Sequence, residues 1–420
     1  MKFRKTASSV LAVAMSVAFI ASVYVPYIEN QSLVSYASEG INVAQHTPKE
    51  IKQYIDAHPF DMQAQPVYTV QPSTTAPYEI GEIDNATKEN ALNAFNCMRY
   101  IAGLPEVTLN EEYGRLAQAA AFVNSINGSS SHYPQQPAGV PDDIYQLGRK
   151  GASESNLCSG DLQKLATAVL VYMNDSDSKN ISKVGHRRWC LNPTMATTGF
   201  GVLGNMSAMY ALDSNRQKTE SNVCWPAQNM PIEYFSTMQT YQNLPAWSIV
   251  LNKNLFQDYV EVSLVRTSDM KEWNFSTLSA DGDFYVDNGR YAEPGCIIFR
   301  PSDISYNDGD IFDVKITTED STIEYSVNFF SLSSVKNEDT KTSVGDVNDD
   351  DYVDSVDASI VLEEYANYST GKTNILNDEQ KKCADVNKDS LIDANDATKI
   401  LEYYSYTSTN DNPLSMENWL

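Results

Sequence analysis

The sequence predicts an α+β protein: a layered domain of helices and sheet, then a small β-sandwich-like domain, then a small helical module carrying two acidic loops. Three observations lead there. Apolar residues recur at helical spacing between residues 85 and 173. Short alternating runs replace them between 196 and 330. Beyond 345, one twelve-residue acidic pattern occurs twice, each copy followed by a short helical segment.

The chain starts with Lys2-Phe3-Arg4-Lys5 and then runs uncharged from 8 to 25, the pattern of a secretory signal peptide. Ser35-Tyr36-Ala37 offers a small-residue cleavage site, which places the signal peptide at 1–37. About 18 apolar residues is also the lower edge of a membrane-spanning length, so an uncleaved anchor is the alternative. No second long apolar run follows, and an exported chain without a transmembrane anchor after cleavage is expected. Its 420 residues suffice for two or three domains. A formal net charge of −25 argues against nucleic acid and anionic membranes as ligands. Six cysteines without CxxC spacing exclude a zinc finger; one or two disulfides, or free thiols, stay open.

Residues 38–84 read as a linker with one short helix, because Thr47-Pro48-Lys49-Glu50 has the cap, the N1 proline and the N3 acid of a capping box. The layered domain is assigned to 85–224. A helix is expected over 86–102, closed by Gly103. A second begins after Asn110 as N-cap, and a third begins at Ser159 with Leu162, Leu165, Ala166, Val169, Leu170 and Met173 on one stripe. Residues 196–212 read as two short strands around Gly204-Asn205. Helices followed by an antiparallel sheet imply layers. In the β-rich domain, 225–330, alternating runs occupy 259–265, 284–286, 296–299, 311–316 and 323–329, with turn signals at Asp281-Gly282 and Asp308-Gly309. Residues 331–344 read as a flexible linker.

Residues 345–406 hold 15 Asp+Glu against 5 Lys. Within them, DVNDDDYVDSVD (346–357) and DVNKDSLIDAND (385–396) place oxygen side chains at positions 1, 3, 5, 9 and 12. Calcium takes six to eight oxygens at roughly 2.3–2.6 Å, and such a loop can wrap it. The expected ligands of two calcium ions are Asp346, Asn348, Asp350, Asp354 and Asp357, then Asp385, Asn387, Asp389, Asp393 and Asp396, with the carbonyls of Tyr352 and Leu391 at position 7. Helices over 358–368 and 397–404 follow, matching at Leu362 and Leu401, Glu363 and Glu402, Tyr365 and Tyr404. No helix is expected to enter either loop. A solvated acidic linker is the competing reading. This duplicated loop–helix module resembles a type I dockerin. The resemblance implies calcium-dependent binding to a cohesin module of a scaffoldin, and with it an extracellular, cell-surface cellulosome complex that degrades polysaccharide. It also implies cohesin contacts at loop positions 10 and 11, here Ser355, Val356, Ala394 and Asn395. Two features depart from that family: its position-6 glycine is replaced by Asp351 and Ser390, and the two contact pairs differ from each other. A polar tail, 407–420, remains.

Of four histidines, His46 and His58 fall in the N-terminal linker and read as solvated. His132 follows Gly128-Ser129-Ser130-Ser131, Glu154 lies in GASESN, and His186 in KVGHRRWCLNP, each at an element boundary where side chains can converge. Two histidines and a carboxylate could hold Zn2+ or act as base and orienter; three hydrogen-bonded structural residues is the plainer reading. These segments, with LNAFNCMRYIAGLPEVTLNEEYGRLAQAAA before them, resemble the CAP superfamily (cysteine-rich secretory, antigen 5, pathogenesis-related 1) over 85–213. The resemblance implies an α-β-α sandwich with a cleft carrying two histidines and two acids. His132, Glu154 and His186 match three of these. The other acid is absent from 133–137, leaving Asp142 or Asp143 as substitutes. Ser153 and Ser155 replace the Gly and Asn beside the family's glutamate. The implied function is binding of an unidentified ligand or partner. The alternatives are a metal-assisted hydrolase of peptide or cell-wall substrate using His132, Glu154 and His186, and a structural accessory with the β-rich domain as spacer.

Overall fold

The computed structural model describes residues 41–160, 164–217, 222–236, 244–335, 343–350, 352–372, 374–410 and 413–420. The expected signal peptide lies outside them. The described residues fall into two compact units, one within 35–337 and one within 338–420. Among them no helix is long and apolar enough to cross a membrane.

In the first unit, α1 (Pro48–Ala57) carries the expected capping box: Thr47 Oγ1 accepts the Glu50 amide at 3.2 Å, and Glu50 Oε2 accepts the Thr47 amide at 2.7 Å. Strands β1 (Tyr68–Val70) and β2 (Glu82–Ile83) pair antiparallel. This stretch differs from a linker with solvated histidines. Ile41, Ile51 and Ile83 enter the core. His46, Tyr100, Tyr54 and His58 form one ladder of rings at successive centroid spacings of 3.8, 4.0 and 4.3 Å. Few apolar residues suffice because each is spaced to meet the next helix.

That helix, α2 (Asn85–Ile101), ends before Gly103, where φ is +73° and a Cβ would lie 1.9 Å from the Ala44 carbonyl oxygen. Only glycine fits. Strand β3 (Thr108–Leu109) precedes α3 (Glu111–Asn127), which is capped by Asn110 as expected. Then come α4 (Asp142–Ser153), β4 (Ser155–Ser159), α5 (Leu165–Asn174), α6 (Gly185–Cys190), β5 (Thr197–Thr198), β6 (Phe200–Leu203) and β7 (Met206–Tyr210). The third expected helix therefore starts later than Ser159. Residues 155–159 are extended because they pair with β7 from Ser155↔Tyr210 to Ser159↔Met206.

Strand order is β4-β7-β6. Alternation along the strands gives each face its own layer. Leu157 and Ala208 pack with Ala117 and Ala120 of α3 and Ala152 of α4. Cys158, Phe200, Val202 and Met209 join the core shared with α2 and α5. Gly201 lies on the α3 face, where a Cβ would come 2.2 Å from the Gln118 amide nitrogen. The result is an α-β-α sandwich.

The following strands are β8 (Val223–Trp225), β9 (Asn229–Pro231), β10 (Trp247–Val250), β11 (Glu261–Arg266), β12 (Lys271–Phe275), β13 (Gly282–Asp287), β14 (Cys296–Pro301), β15 (Ile311–Thr317) and β16 (Thr322–Phe330). They form two sheets, β13-β14-β10-β8 and β12-β11-β15-β16-β9. Trp247 sits between the sheets, its ring 5.6 to 6.3 Å from those of Phe235, Phe299, Tyr306, Phe312 and Phe329. The expected division at 224/225 falls inside the buried strand β8, and one hydrophobic core runs from Ile41 to Phe330. All six cysteines are buried free thiols.

The second unit contains α7 (Ser355–Ser369), α8 (Asp378–Ala384), α9 (Ala394–Thr407) and α10 (Met416–Trp419). Contrary to expectation, α8 does enter the second loop. An Asn377–Gln380 capping box starts it and Asp385 ends it. Helices α7 and α9 begin three residues early, at loop position 10, because Asp354 with Asp357 and Asp393 with Asp396 form capping boxes. The tail also packs. Met416 is buried, and the Trp419 ring lies 5.5 Å from Tyr403 and 5.9 Å from Tyr406.

Candidate calcium loops and candidate cleft

The two acidic loops share one hydrogen-bonding plan. Asp346 Oδ1 and Asn348 Oδ1 accept the Asp350 amide at 3.1 and 3.2 Å; Asp385 Oδ1 and Asn387 Oδ1 accept the Asp389 amide at 3.0 and 2.8 Å. Position 5 then accepts the amide of position 7, Asp350 from Tyr352 at 2.9 Å and Asp389 from Leu391 at 2.8 Å. Position 12 closes each loop. Asp357 accepts the amides of Val347 at 2.7 Å and Asp354 at 2.9 Å, and Asp396 those of Asn387 at 3.3 Å and Asp393 at 3.0 Å. Both position-12 carboxylates are fully buried. Burial, with a contribution from the Asp346 charge, pushes Asp357 up to about 6, and burial likewise raises Asp396. Carboxylate and amide oxygens are the donor type a hard cation takes. The sharp bend falls at position 4, where Asp349 and Lys388 have φ of +61° and +58°, and again at Ser390, φ +68°. Asp351 lies outside the described residues.

Positions 10 and 11 are exposed in both copies: Ser355 and Val356, Ala394 and Asn395. Beyond them the helices present equivalent apolar residues. Leu362 and Leu401 are each 44% exposed, and Tyr365 and Tyr404 are 41% and 42% exposed.

Of the expected cleft residues, His132 is exposed on the loop after α3, and its Nδ1 meets the Ala152 carbonyl at 2.9 Å. A carbonyl only accepts, so Nδ1 is the donor in this contact and Nε2 is the ring nitrogen left facing away from it. Glu154 is the C-cap of α4 and hydrogen-bonds Tyr210, while its Oε2 is buried without a hydrogen-bond partner. Tyr210 stacks on Tyr113 at 3.8 Å, and the Tyr113 hydroxyl donates to Asp213 Oδ1 at 3.2 Å. Burial, then the Glu154 charge, push the Tyr210 phenol up.

His186 opens α6. The buried Asp175 accepts its amide and meets its Nδ1, both at 2.8 Å. Burial opposes protonation of His186, but the hydrogen bond and charge of Asp175 outweigh it, so its pKa is raised. Its ring lies 5.8 Å from Tyr172 of α5, whereas Glu154 meets Tyr210, which stacks on Tyr113 of α3.

No hydrogen bond, ion pair or ring contact joins His132, Glu154 and His186 among the described residues. Asp142 and Asp143, offered as the missing acid, stand in the first turn of α4, whereas His132 binds its last turn. Ten residues of helix separate them by about 15 Å, so neither can act beside His132. Among the described residues, no three His, Cys, Asp or Glu side chains gather as a metal centre. For zinc in the cleft, the residues therefore do not fit. In the loops the same holds of the geometry, because the carboxylates are turned onto loop amides. What the loops do supply is donor chemistry: ten oxygen-bearing side chains in two matched twelve-residue frames. Sequence reasoning missed Asp175, Tyr210 and Asp213; the one local trace is that Asp175 follows the apolar stripe of α5.

A family model described as Dockerin type I domain matches residues 344–403, and one described as Cysteine-rich secretory protein family matches residues 92–212. No curated protein matches the chain. Residues 92–212 form three-layered α-β-α structure and residues 344–403 form two loop–helix repeats, so the chain carries a CAP domain of the cysteine-rich secretory protein family and a type I dockerin domain.

Proposed function

We propose that this protein is a secreted cellulosome component whose dockerin domain binds two calcium ions and docks on a scaffoldin cohesin, displaying the CAP domain as a ligand- or partner-binding module. The observation that carries this is the repeated loop with a buried position-12 carboxylate, followed each time by a helix with the same exposed Leu and Tyr. Asp346, Asn348, Asp350, Asp354 and Asp357, with the Tyr352 carbonyl, would hold the first ion. Asp385, Asn387, Asp389, Asp393 and Asp396, with the Leu391 carbonyl, would hold the second. Each ion would supply the positive charge that lets these carboxylates lie together. The test is a pull-down of the full chain on immobilised scaffoldin cohesins. Capture in calcium and loss in chelator are expected; equal capture in both, or none on any cohesin, would count against the reading.

Ser390 offers a sharper check. A left-handed serine costs about 1 kcal/mol, which glycine's larger unfolded entropy offsets in part. Ser390→Gly is expected to tighten calcium binding at the second loop by roughly two- to fivefold in calorimetric titration. The hydrolase reading loses support, because His132, Glu154 and His186 make separate contacts.

A further inference from the structure

We infer that the β-sandwich positions the His186 end of the CAP cleft, with Arg188 as the main positioning residue. This rests on the reading that His186 belongs to the CAP domain's binding site. Helix α6 has six residues, too few to sustain itself. Its N-cap, Val184, sits at φ +42° and gives no side-chain cap, so surrounding contacts impose its geometry. From the CAP side, Asp175 accepts the His186 amide, and Asn156 Nδ2 donates to the His186 carbonyl at 3.0 Å.

Arg187 Nε and Nη2 also donate to the Met173 and Asn174 carbonyls, each at 2.7 Å, and further grips come from beyond residue 212, outside the matched CAP domain. Arg187 is fully buried and donates through Nη1 to the Ala246 carbonyl at 2.7 Å and Ser248 Oγ at 2.9 Å. Arg188 donates to Asp287 Oδ2 at 2.5 Å and to the Glu293 carbonyl at 2.7 Å, with its guanidinium 5.1 Å from the Tyr291 ring. On the other flank of His186, a Cβ on Gly185 would come within 2.9 Å of that same ring. Both neighbours of His186 thus touch the sandwich, and together with Asp175 they fix where the imidazole between them lies. A buried guanidinium that loses its carboxylate must find new partners, and α6 moves with it. The sandwich is therefore part of the cleft's architecture and not a spacer.

The test uses the full chain with histidine-selective isotope labelling. Four histidines keep the imidazole spectrum readable, and His186→Gln assigns the signal. Asp287→Ala and Tyr291→Ala are expected to shift the His186 resonance and leave His46 and His58 in place. Amide exchange in 185–190 should become about tenfold faster, with α3 unchanged. Met270→Ala, an exposed change on the same sandwich, should move neither. If Asp287→Ala does not fold, Asp287→Asn, which removes only the charge, reads the same signals. Variants that lower the melting temperature but leave the His186 resonance and the 185–190 exchange at wild-type values overturn the inference. Neither readout needs a ligand, so failure here is distinguishable from failure of the CAP domain to bind one.

Discussion

Chelating calcium from the full chain is expected to unfold residues 343–420 and leave 41–335 folded. The second unit is small, and its core rests on a few residues such as Val347, Val361, Val386, Ile400, Tyr403 and Met416. Domains of this size commonly need a metal or another staple. Two position-12 carboxylates are buried at the hinge between each loop and its helix, so without a cation their repulsion and desolvation fall on the elements that build the core. A site held at a thousand times its Kd supplies about 4 kcal/mol, and two such sites exceed what the core alone supplies. Scanning calorimetry and far-ultraviolet dichroism should show two transitions in calcium. In chelator the dockerin transition should vanish while the other stays at the same temperature. Superimposable melting curves with and without chelator would refute the calcium assignment, and cohesin capture should disappear along with the transition.

Trp247→Ala is expected to destabilise the first unit by about 3–5 kcal/mol, and the loss should appear in the CAP helices as well as in the sandwich. The indole contacts five aromatic rings from both sheets, and its Nε1 donates to the Tyr306 hydroxyl at 2.7 Å. Truncation leaves a large cavity and an unmatched phenol. The core that Trp247 anchors is continuous with the one under α2 and α5, so the two parts should melt together. Ending the chain at Ser214 should be more severe. It removes the Ala246 and Ser248 partners of the buried Arg187 and every sandwich partner of Arg188. Chemical denaturation followed by helix dichroism and by tryptophan fluorescence tests both. Separate transitions for helix and tryptophan signals, or a soluble, cooperatively folding chain ending at 214, would show the parts to be independent.

The two acidic loops were legible because all the oxygen-bearing side chains of each lie within twelve consecutive residues, in a spacing set by the backbone itself. The same holds for the capping box at Thr47, the N-cap at Asn110, and the hairpin between β6 and β7. Each is a local contact whose residue types have few other uses. The CAP motif residues were found by resemblance, and their surroundings were not legible at all. Asp175 reaches His186 across 11 positions, Tyr113 reaches Asp213 across 100, and Arg188 reaches Asp287 across 99.

By itself, then, the sequence determined the succession of helical, strand-rich and loop–helix regions, the two twelve-residue acidic frames and the residue types of the CAP motif. Tertiary structure decided the rest. It made residues 155–159 a strand, because pairing with β7 overrode their helical neighbourhood. It drew the expected linker and tail into the cores through Ile51 and Met416. It placed Glu154 with Tyr210, His186 with Asp175 and His132 with the Ala152 carbonyl, so the three matched residues have different partners. The physical reason is common to all of these. Burial and hydrogen bonding between distant segments depend on which surfaces meet in three dimensions, and neither spacing nor composition along the chain records that meeting.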